Sequence, residues 1–155
     1  MLKHQSDLLN SAILIAVEAH FKQRDKAGKP YILHPLHLMS QFPNDPVVAT
    51  VAVLHDVVED TSVTIEKLRL LGFDCYGILE ALELLTHKDG VPYEDYIVGI
   101  AEDSLATQVK LEDLKHNSSI ERLVGVREKD IKRMAKYHKA YLYLTGNITV
   151  YDTLH

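Results

Sequence analysis

Residues 54–61 (LHDVVEDT) bring one imidazole and three carboxylates together directly after an apolar run. That run, residues 47–54 (VVATVAVL), contains no charged side chain. An ionised group at the end of such a run tends to be paired or bound to a metal, because burying it alone costs several kcal/mol. The segment therefore indicates the centre of a metal site, with His55 and Asp56 as its first ligands.

His55 and Asp56 cannot complete a metal site by themselves. Adjacent residues of a helix point about 100° apart, so these two can share one cation only over their common edge. Other elements must supply the remaining ligands, and His34 and Asp113 are the candidates. Two imidazoles and two carboxylates, without a thiolate, suit Mn²⁺, Fe²⁺, Co²⁺ or Zn²⁺ better than a structural cysteine-type zinc site.

Glu59 and Asp60 lie one turn beyond the first two ligands and could carry the chemistry. A bound divalent ion lowers the pKa of its water and neutralises a phosphoryl oxygen. A nearby carboxylate could orient that water, accept its proton, or supply a proton to the leaving group. The alternative is that both are ordinary charged residues that flank the end of a helix.

We expect helices to position these residues. Residues 47–54 could be a strand from their composition, but the sequence shows no second convincing strand. A single strand would have no partner for its backbone groups, so we predict a buried helix there. If this helix continues through Asp60, His55 pairs with Glu59 and Asp56 with Asp60 at i, i+4 spacing. Periodicity predicts further helices at residues 7–21, 34–41, 64–71, 76–86, 93–102, 105–117 and 129–144, and a short strand or a disordered tail at 147–155.

A basic loop, residues 22–31 (KQRDKAGKPY), comes just before His34. Gly28 and Pro30 break the helical periodicity, and the loop carries four cations, among them Arg24 and Lys26. A solvated turn would explain this composition. Its position next to a candidate ligand also favours contact with an anionic substrate.

The length of 155 residues and the hydrophobic content of 46% predict a single domain over residues 1–155, with a core from about 6 to 145. No apolar stretch is long enough to span a membrane, so we expect a soluble, cytoplasmic protein. A net charge of −5 argues against a nucleic-acid partner, whereas local cations or a metal would permit a small anionic substrate. The single cysteine, Cys75, cannot form an internal disulfide, and the oligomeric state is left open.

Three segments in this order resemble the HD-domain hydrolases of the RelA/SpoT type, especially the small stand-alone alarmone hydrolases. They are His34-Pro35, residues 54–61, and Lys110-Leu111-x-Asp113-x-x-His116-Asn117. The resemblance extends from about residue 16 to 117, and more weakly to 144. Its most specific features are the Glu59-Asp60 pair and the approach Gly28-x-Pro30-Tyr31-Ile32-x-His34-Pro35.

This resemblance implies an all-α fold, the HD-domain helical bundle, and hydrolysis of the 3′-pyrophosphate of ppGpp or pppGpp to GDP or GTP and pyrophosphate. It implies one Mn²⁺ ion, with other divalent transition metals possible, held by His34, His55, Asp56 and Asp113. Glu59 and Asp60 match the catalytic pair, Lys26 a basic-loop residue near the substrate, and Asn117 a residue that contacts the nucleotide sugar. The family's synthetase half has no counterpart in the sequence, so synthesis is not expected.

Departures from the family pattern leave the substrate open. The family often has an arginine directly before the basic-loop lysine, whereas this chain has Asp25 there and Arg24 one place earlier. Ile120 replaces a small polar residue near the guanine, and Leu114 replaces the arginine that follows the metal-binding aspartate. The chain could therefore hydrolyse another nucleotide or phosphoester. It could also be a non-catalytic, metal-stabilised module that senses nucleotides.

Overall fold

The structure, a computed structural model, describes residues 4–151 as a bundle of α-helices. Within this range the one strand-like pairing is an isolated bridge between Arg24 and Pro30, and residues 147–151 form no strand. The predicted all-α class is confirmed, while residues 152–155 of the predicted tail lie outside the described residues. The helices are α1 (Gln5–Ala19), α2 (Leu33–Ser40), α3 (Pro46–Leu54), α4 (Val57–Asp60), α5 (Ile65–Leu70), α6 (Ile78–Leu85), α7 (Tyr93–Ala101), α8 (Ser104–Asn117) and α9 (Glu128–Leu144), with a 3-10 helix at Ile120–Arg122.

The central helix of the bundle is α3. Asp45 caps its start by accepting a hydrogen bond from the N–H of Val48 at 3.1 Å, and Pro46 occupies the first turn. Every residue from Val48 to Leu54 is buried, and α1, α2, α6 and α8 pack around the helix. A helix that is surrounded on all sides has no polar face, which explains why its sequence shows no amphipathic period.

The end of α3 differs from the prediction, because the helix stops at Leu54 and does not continue through Asp60. In a continued helix the carbonyl of Ala52 would accept from the N–H of Asp56. That carbonyl instead accepts a hydrogen bond from Nδ1 of His55 at 2.7 Å, and α4 follows as a separate short helix. The continuous helix from which the i, i+4 pairs were predicted does not form, although the N–H of Asp60 still donates to the carbonyl of Asp56 at 2.9 Å. His55 and Asp56 occupy the turn between two helices, so their side chains can converge.

The last candidate ligand enters the core on α8. Asp103 caps this helix by accepting from the N–H of Ala106 at 2.7 Å. The buried face of α8 contains Ala106 and Val109 but also the polar residues Lys110 and Asp113, which are 8% and 6% exposed. Buried charged groups need partners, so this face must contain a polar site.

The apolar core is built from side chains of several short helices. Its largest buried members include Phe73, Leu8, Leu38, Leu54 and Leu68. The long C-terminal helix α9 packs against α7 and α8. None of the helices formed by residues 4–151 is long and apolar enough to cross a membrane.

Candidate metal centre

The four residues predicted as metal ligands converge at one point between α2, the α3–α4 turn and α8. Nε2 of His34 lies 3.0 Å from Oδ1 of Asp113 and 3.8 Å from Oδ2 of Asp56. Nε2 of His55 lies 2.9 Å from Oδ2 of Asp56 and 3.6 Å from Oδ1 of Asp113. Ligand atoms from His34, His55 and Asp56 all lie within 4.8 Å of one another. Two imidazoles and two carboxylates thus surround a single position.

The hydrogen bonding of His55 shows that its free nitrogen suits a metal. Nδ1 lies 2.7 Å from the carbonyl oxygen of Ala52, which can only accept, so Nδ1 must carry the proton. In the neutral ring Nε2 then has a lone pair, and this buried atom makes no hydrogen bond with any described residue. A buried nitrogen lone pair beside two carboxylates is the donor set of a divalent transition metal. The residues present therefore fit a divalent cation.

The electrostatics of the site favour positive charge at the same position. Burial lowers the pKa of His55, but the Asp56 and Asp113 carboxylates together outweigh burial and hold that pKa well above its ordinary value. Burial also raises the pKa of Asp113, but the Lys110 ammonium together with His34 and His55 outweighs burial and keeps that pKa well below the usual range. The carboxylates are therefore ionised, and either a proton or a metal ion is stabilised between them.

Further side chains hold the two carboxylates in place. The Tyr31 hydroxyl donates a hydrogen bond to Oδ2 of Asp56. Nζ of Lys110 donates to Oδ2 of Asp113 at 2.8 Å, and Nδ2 of Asn117 donates to Oδ1 of the same residue at 2.7 Å. Sequence reasoning assigned no role to Tyr31 or Lys110. Their positions in the His34 approach and one turn before Asp113 are the signals that could have identified them.

Asn117 lies beside the metal centre, and both of its polar ends are engaged within the protein. Nδ2 contacts Asp113, while Oδ1 accepts a hydrogen bond from Nη1 of Arg122 at 2.9 Å. The same Arg122 atom donates to the carbonyl of His116 at 3.1 Å, which fixes the end of α8. Asn117 thus supports a candidate ligand, and its contact with the nucleotide sugar stays a prediction.

Glu59 and Asp60 lie on α4 at the mouth of the metal centre. One carboxylate oxygen from each, together with one from Asp56, lies within 4.8 Å of the others. Oε1 of Glu59 accepts a hydrogen bond from the N–H of His87 at 2.6 Å, and the carbonyl of Asp60 accepts from Nε2 of Gln23 at 2.7 Å. Desolvation raises the pKa of both side chains, and the charge of Asp56 adds to the effect. Both groups are therefore suited to holding and releasing a proton.

A cleft of about 700 Å³ borders the metal centre between the basic loop and the segment that connects α8 to α9. Tyr31 and Asn117 line it and also contact the candidate ligands. Its acidic lining residues are Asp25 and Asp130. The cations that line the cleft are Arg24, Lys26, Arg122, Arg127, Lys129 and Arg133. The cleft is therefore strongly cationic, although the chain as a whole is acidic.

The basic loop keeps its shape through its own hydrogen bonds. Oδ1 of Asp25 accepts from the N–H groups of Ala27 and Lys29, both at 2.9 Å, which closes a tight turn. Arg24 donates to the loop backbone at 3.0 Å, and Lys26 is exposed in the cleft. The acidic residue at position 25 thus has a structural role, and both predicted substrate-binding cations of the loop lie in the cleft.

No family model matches the chain. Among its relatives is the "GTP pyrophosphokinase rsh" of Brucella ovis, 32% identical over 135 residues, which cover 79% of this chain and 18% of the relative. Another is the "Probable guanosine-3′,5′-bis(diphosphate) 3′-pyrophosphohydrolase" of Synechocystis, 30% identical over 142 residues, with 83% and 19% coverage. A solved structure of a metazoan ortholog of SpoT, described as hydrolysing ppGpp, superposes with a TM-score of 0.72 at 22% identity, over 92% of this chain and 87% of that one. The chain is related to the RelA/SpoT-type proteins and has their HD fold.

The Brucella ovis and Synechocystis relatives are much longer than this chain, which spans 18% and 19% of their lengths. The HD fold brings together all four residues predicted as ligands, with the predicted pair Glu59 and Asp60 beside them. It also places Arg24 and Lys26 with Asn117 along one cleft. The individual roles of these residues stay predictions.

Proposed function

We propose that this chain hydrolyses the 3′-pyrophosphate of ppGpp or pppGpp and releases pyrophosphate together with GDP or GTP. The observation that carries the proposal is the convergence of two imidazoles and two carboxylates beside a cleft lined by six cations. The relatives support the same reaction, because one is named a 3′-pyrophosphohydrolase and the metazoan neighbour is described as hydrolysing ppGpp.

We propose Mn²⁺ as the ion held by His34, His55, Asp56 and Asp113. Mixed imidazole and carboxylate ligands suit Mn²⁺, and other divalent transition metals would compete for the site. When bound, the ion supplies Lewis-acid stabilisation of a phosphoryl oxygen and a water of lowered pKa. The chain contributes the fixed geometry, because each ligand is already held by the protein backbone or by another side chain.

Glu59 and Asp60 would move the protons of the reaction. Hydrolysis breaks the bond between the ribose 3′ oxygen and the adjacent phosphorus, while water forms a new bond to that phosphorus. The water loses a proton and the 3′ oxygen gains one, so one carboxylate must accept and one carboxylic acid must donate. Burial raises the pKa of both side chains, which favours their acting as proton carriers.

The cationic cleft supports a substrate that carries phosphates at both ends. A monoester needs positive charge only near the scissile bond. Here the metal centre serves one end, and Arg127, Lys129 and Arg133 extend the positive lining along the start of α9. A bis-diphosphate would be neutralised along its length in such a cleft, which favours it over a simple phosphoester.

One observation keeps another nucleotide as the second candidate substrate. Position 25 carries an aspartate whose carboxylate is committed to the turn of the basic loop, so no arginine is available there to stack on a base. Ile120, at the position of a polar family residue, is 70% exposed. Guanine recognition must therefore use other residues than the family pattern provides.

The test is pyrophosphate release from ppGpp by chelator-treated protein, with and without added Mn²⁺. Asp56→Ala should abolish release, Glu59→Gln should slow it by about 10²–10⁴-fold, and Glu66→Gln, at an exposed position of α5, is the matched control. A panel of nucleoside diphosphates, triphosphates and 3′-monophosphates tests the second candidate. Tight nucleotide binding without any product under saturating Mn²⁺ would refute hydrolysis and support the sensing module instead.

A further inference from the structure

His116 contacts His34 on the side that faces away from the metal centre. The two Nδ1 atoms are 2.6 Å apart, whereas the ring centroids are 4.9 Å apart and the ring planes are within 7° of parallel. The rings therefore meet edge to edge in nearly one plane, which is the geometry of an N–H···N hydrogen bond. Face to face, His116 stacks on the exposed His37 with a centroid distance of 4.0 Å.

The position of the proton in this hydrogen bond decides whether His34 can be a ligand. Nε2 of His34 lies 3.0 Å from Oδ1 of Asp113. If Nε2 carries the proton, it donates to Asp113 and has no lone pair for a metal. If Nδ1 carries the proton, it donates to His116, and the Nε2 lone pair points with the carboxylate toward the same cation.

We propose that His116 is a positioning residue that accepts the Nδ1–H hydrogen bond of His34 and thereby keeps the ligand lone pair at Nε2. The inference shares the metal site with the proposed function and goes beyond it by assigning an outer partner. Metal-binding histidines usually donate their second N–H to a carboxylate, a backbone carbonyl or water. Here the partner is another imidazole, which can accept when the ion is bound and donate when it is absent.

The surroundings of His116 hold its ring in the orientation that this role requires. Arg122 donates to its backbone carbonyl at 3.1 Å and also to the side chain of Asn117. Stacking on His37 limits rotation of the ring, because the two planes differ by only 15°. A rigid acceptor fixes both the tautomer and the direction of His34.

Two substitutions separate the hydrogen-bond acceptor from the aromatic ring. His116→Asn keeps an amide oxygen near the place of Nδ1, so it can still accept. His116→Phe keeps a flat ring that can stack on His37 but cannot accept. His138→Phe, at an exposed position of α9, is the matched control. All are full-length proteins, treated with chelator and titrated with MnCl₂ while the paramagnetic resonance signal reports free Mn²⁺.

We expect His116→Phe to weaken Mn²⁺ binding by about 10- to 100-fold, the usual effect of losing an outer partner, and His116→Asn to remain close to wild type. Equal affinity of the Phe variant and wild type would overturn the proposal. So would an Asn variant as weak as the Phe variant, because the acceptor would then be irrelevant. If the Phe variant does not fold, His116→Ala replaces it.

Nitrogen-15 NMR of the wild-type protein loaded with diamagnetic Zn²⁺ gives an independent readout. We expect His34 to show a protonated Nδ1 and a metal-bound Nε2. A spectrum with metal bound at Nδ1 would overturn the proposal without any variant. Neither experiment measures hydrolysis, so a protein that met both expectations but left ppGpp intact would refute only the proposed function.

Discussion

Two ion pairs on α8 have the same spacing and nearly the same length but differ in burial. Nζ of Lys110 lies 2.8 Å from Oδ2 of Asp113, with side chains 11% and 9% exposed. Nζ of Lys115 lies 2.7 Å from Oε1 of Glu112, with side chains 52% and 20% exposed. Removing one partner of a buried pair costs about 3–5 kcal/mol, whereas an exposed pair contributes about 0–1 kcal/mol. We therefore expect Lys110→Met to lower the free energy of unfolding by about 3–5 kcal/mol in chelator and Lys115→Met by less than about 1 kcal/mol.

Mn²⁺ should reduce the difference in the free energy of unfolding between Lys110→Met and wild type. Without the ammonium, Asp113 is left ionised and buried, and a divalent cation supplies the positive charge that it lacks. A ligand present at 100 times its dissociation constant stabilises the folded state by about 2.7 kcal/mol. Because its site is more negative, the variant should gain more free energy of unfolding than wild type at the same free Mn²⁺ concentration.

Urea unfolding followed by circular dichroism, in chelator and in Mn²⁺, measures both effects. Equal losses for Lys110→Met and Lys115→Met in chelator would refute the assignment of a buried, site-supporting pair. A smaller gain from Mn²⁺ in the Lys110 variant than in wild type would refute the charge argument.

Three further predictions follow from the same site. Glu59→Gln removes a proton-transfer group and should lower kcat by about 10²–10⁴-fold. Burial raises the pKa of Glu59 above its ordinary 4.5, so the ionised carboxylate destabilises the folded protein once the pH exceeds 4.5. The same variant should therefore unfold less readily than wild type near neutral pH. Tyr31→Phe removes the hydrogen bond to Asp56 and should weaken Mn²⁺ binding by about tenfold or more, measured by metal titration. Lys129 lines the cleft, so Lys129→Gln should raise KM for ppGpp in steady-state assays with little change in kcat. Lys132 is exposed on the same helix, where it pairs with Glu128 at 3.0 Å, and Lys132→Gln should leave both constants unchanged.

The helical fold was predictable because its physical basis is local. Apolar residues at three- and four-residue steps give most helices, and the absence of a partner strand identifies residues 47–54 as a helix despite their β-branched composition. The ligand types were also predictable, since imidazoles and carboxylates at the end of an apolar run need a cation. The sequence pattern does not predict the end of α3 at Leu54. The helix ends there because Nδ1 of His55 donates a hydrogen bond to the carbonyl of Ala52.

The residues that support the ligands could not be derived from local patterns. Tyr31 lies 25 residues from Asp56 along the chain, and His116 lies 82 residues from His34. No periodicity encodes contacts over such separations, and tyrosine and histidine occur in many structural roles. Lys110 is different, because its spacing of one turn from Asp113 places both on the same side of any helix. Its burial, which makes the pair important, becomes visible only in the folded structure.

The charges of the site suggest the order in which its ligands bind. Without the metal, His55 carries a proton, and its charge together with those of Asp56, Asp113 and Lys110 sums to 0, so the end of the cleft where a polyanionic nucleotide must react offers it no net attraction. A divalent cation that displaces this proton changes the sum to +1. The cations of the cleft can attract the remote phosphates without the metal, but they cannot neutralise the scissile end. Productive binding should therefore follow metal binding. A chelated protein that bound ppGpp as tightly as the Mn²⁺ form would contradict this order.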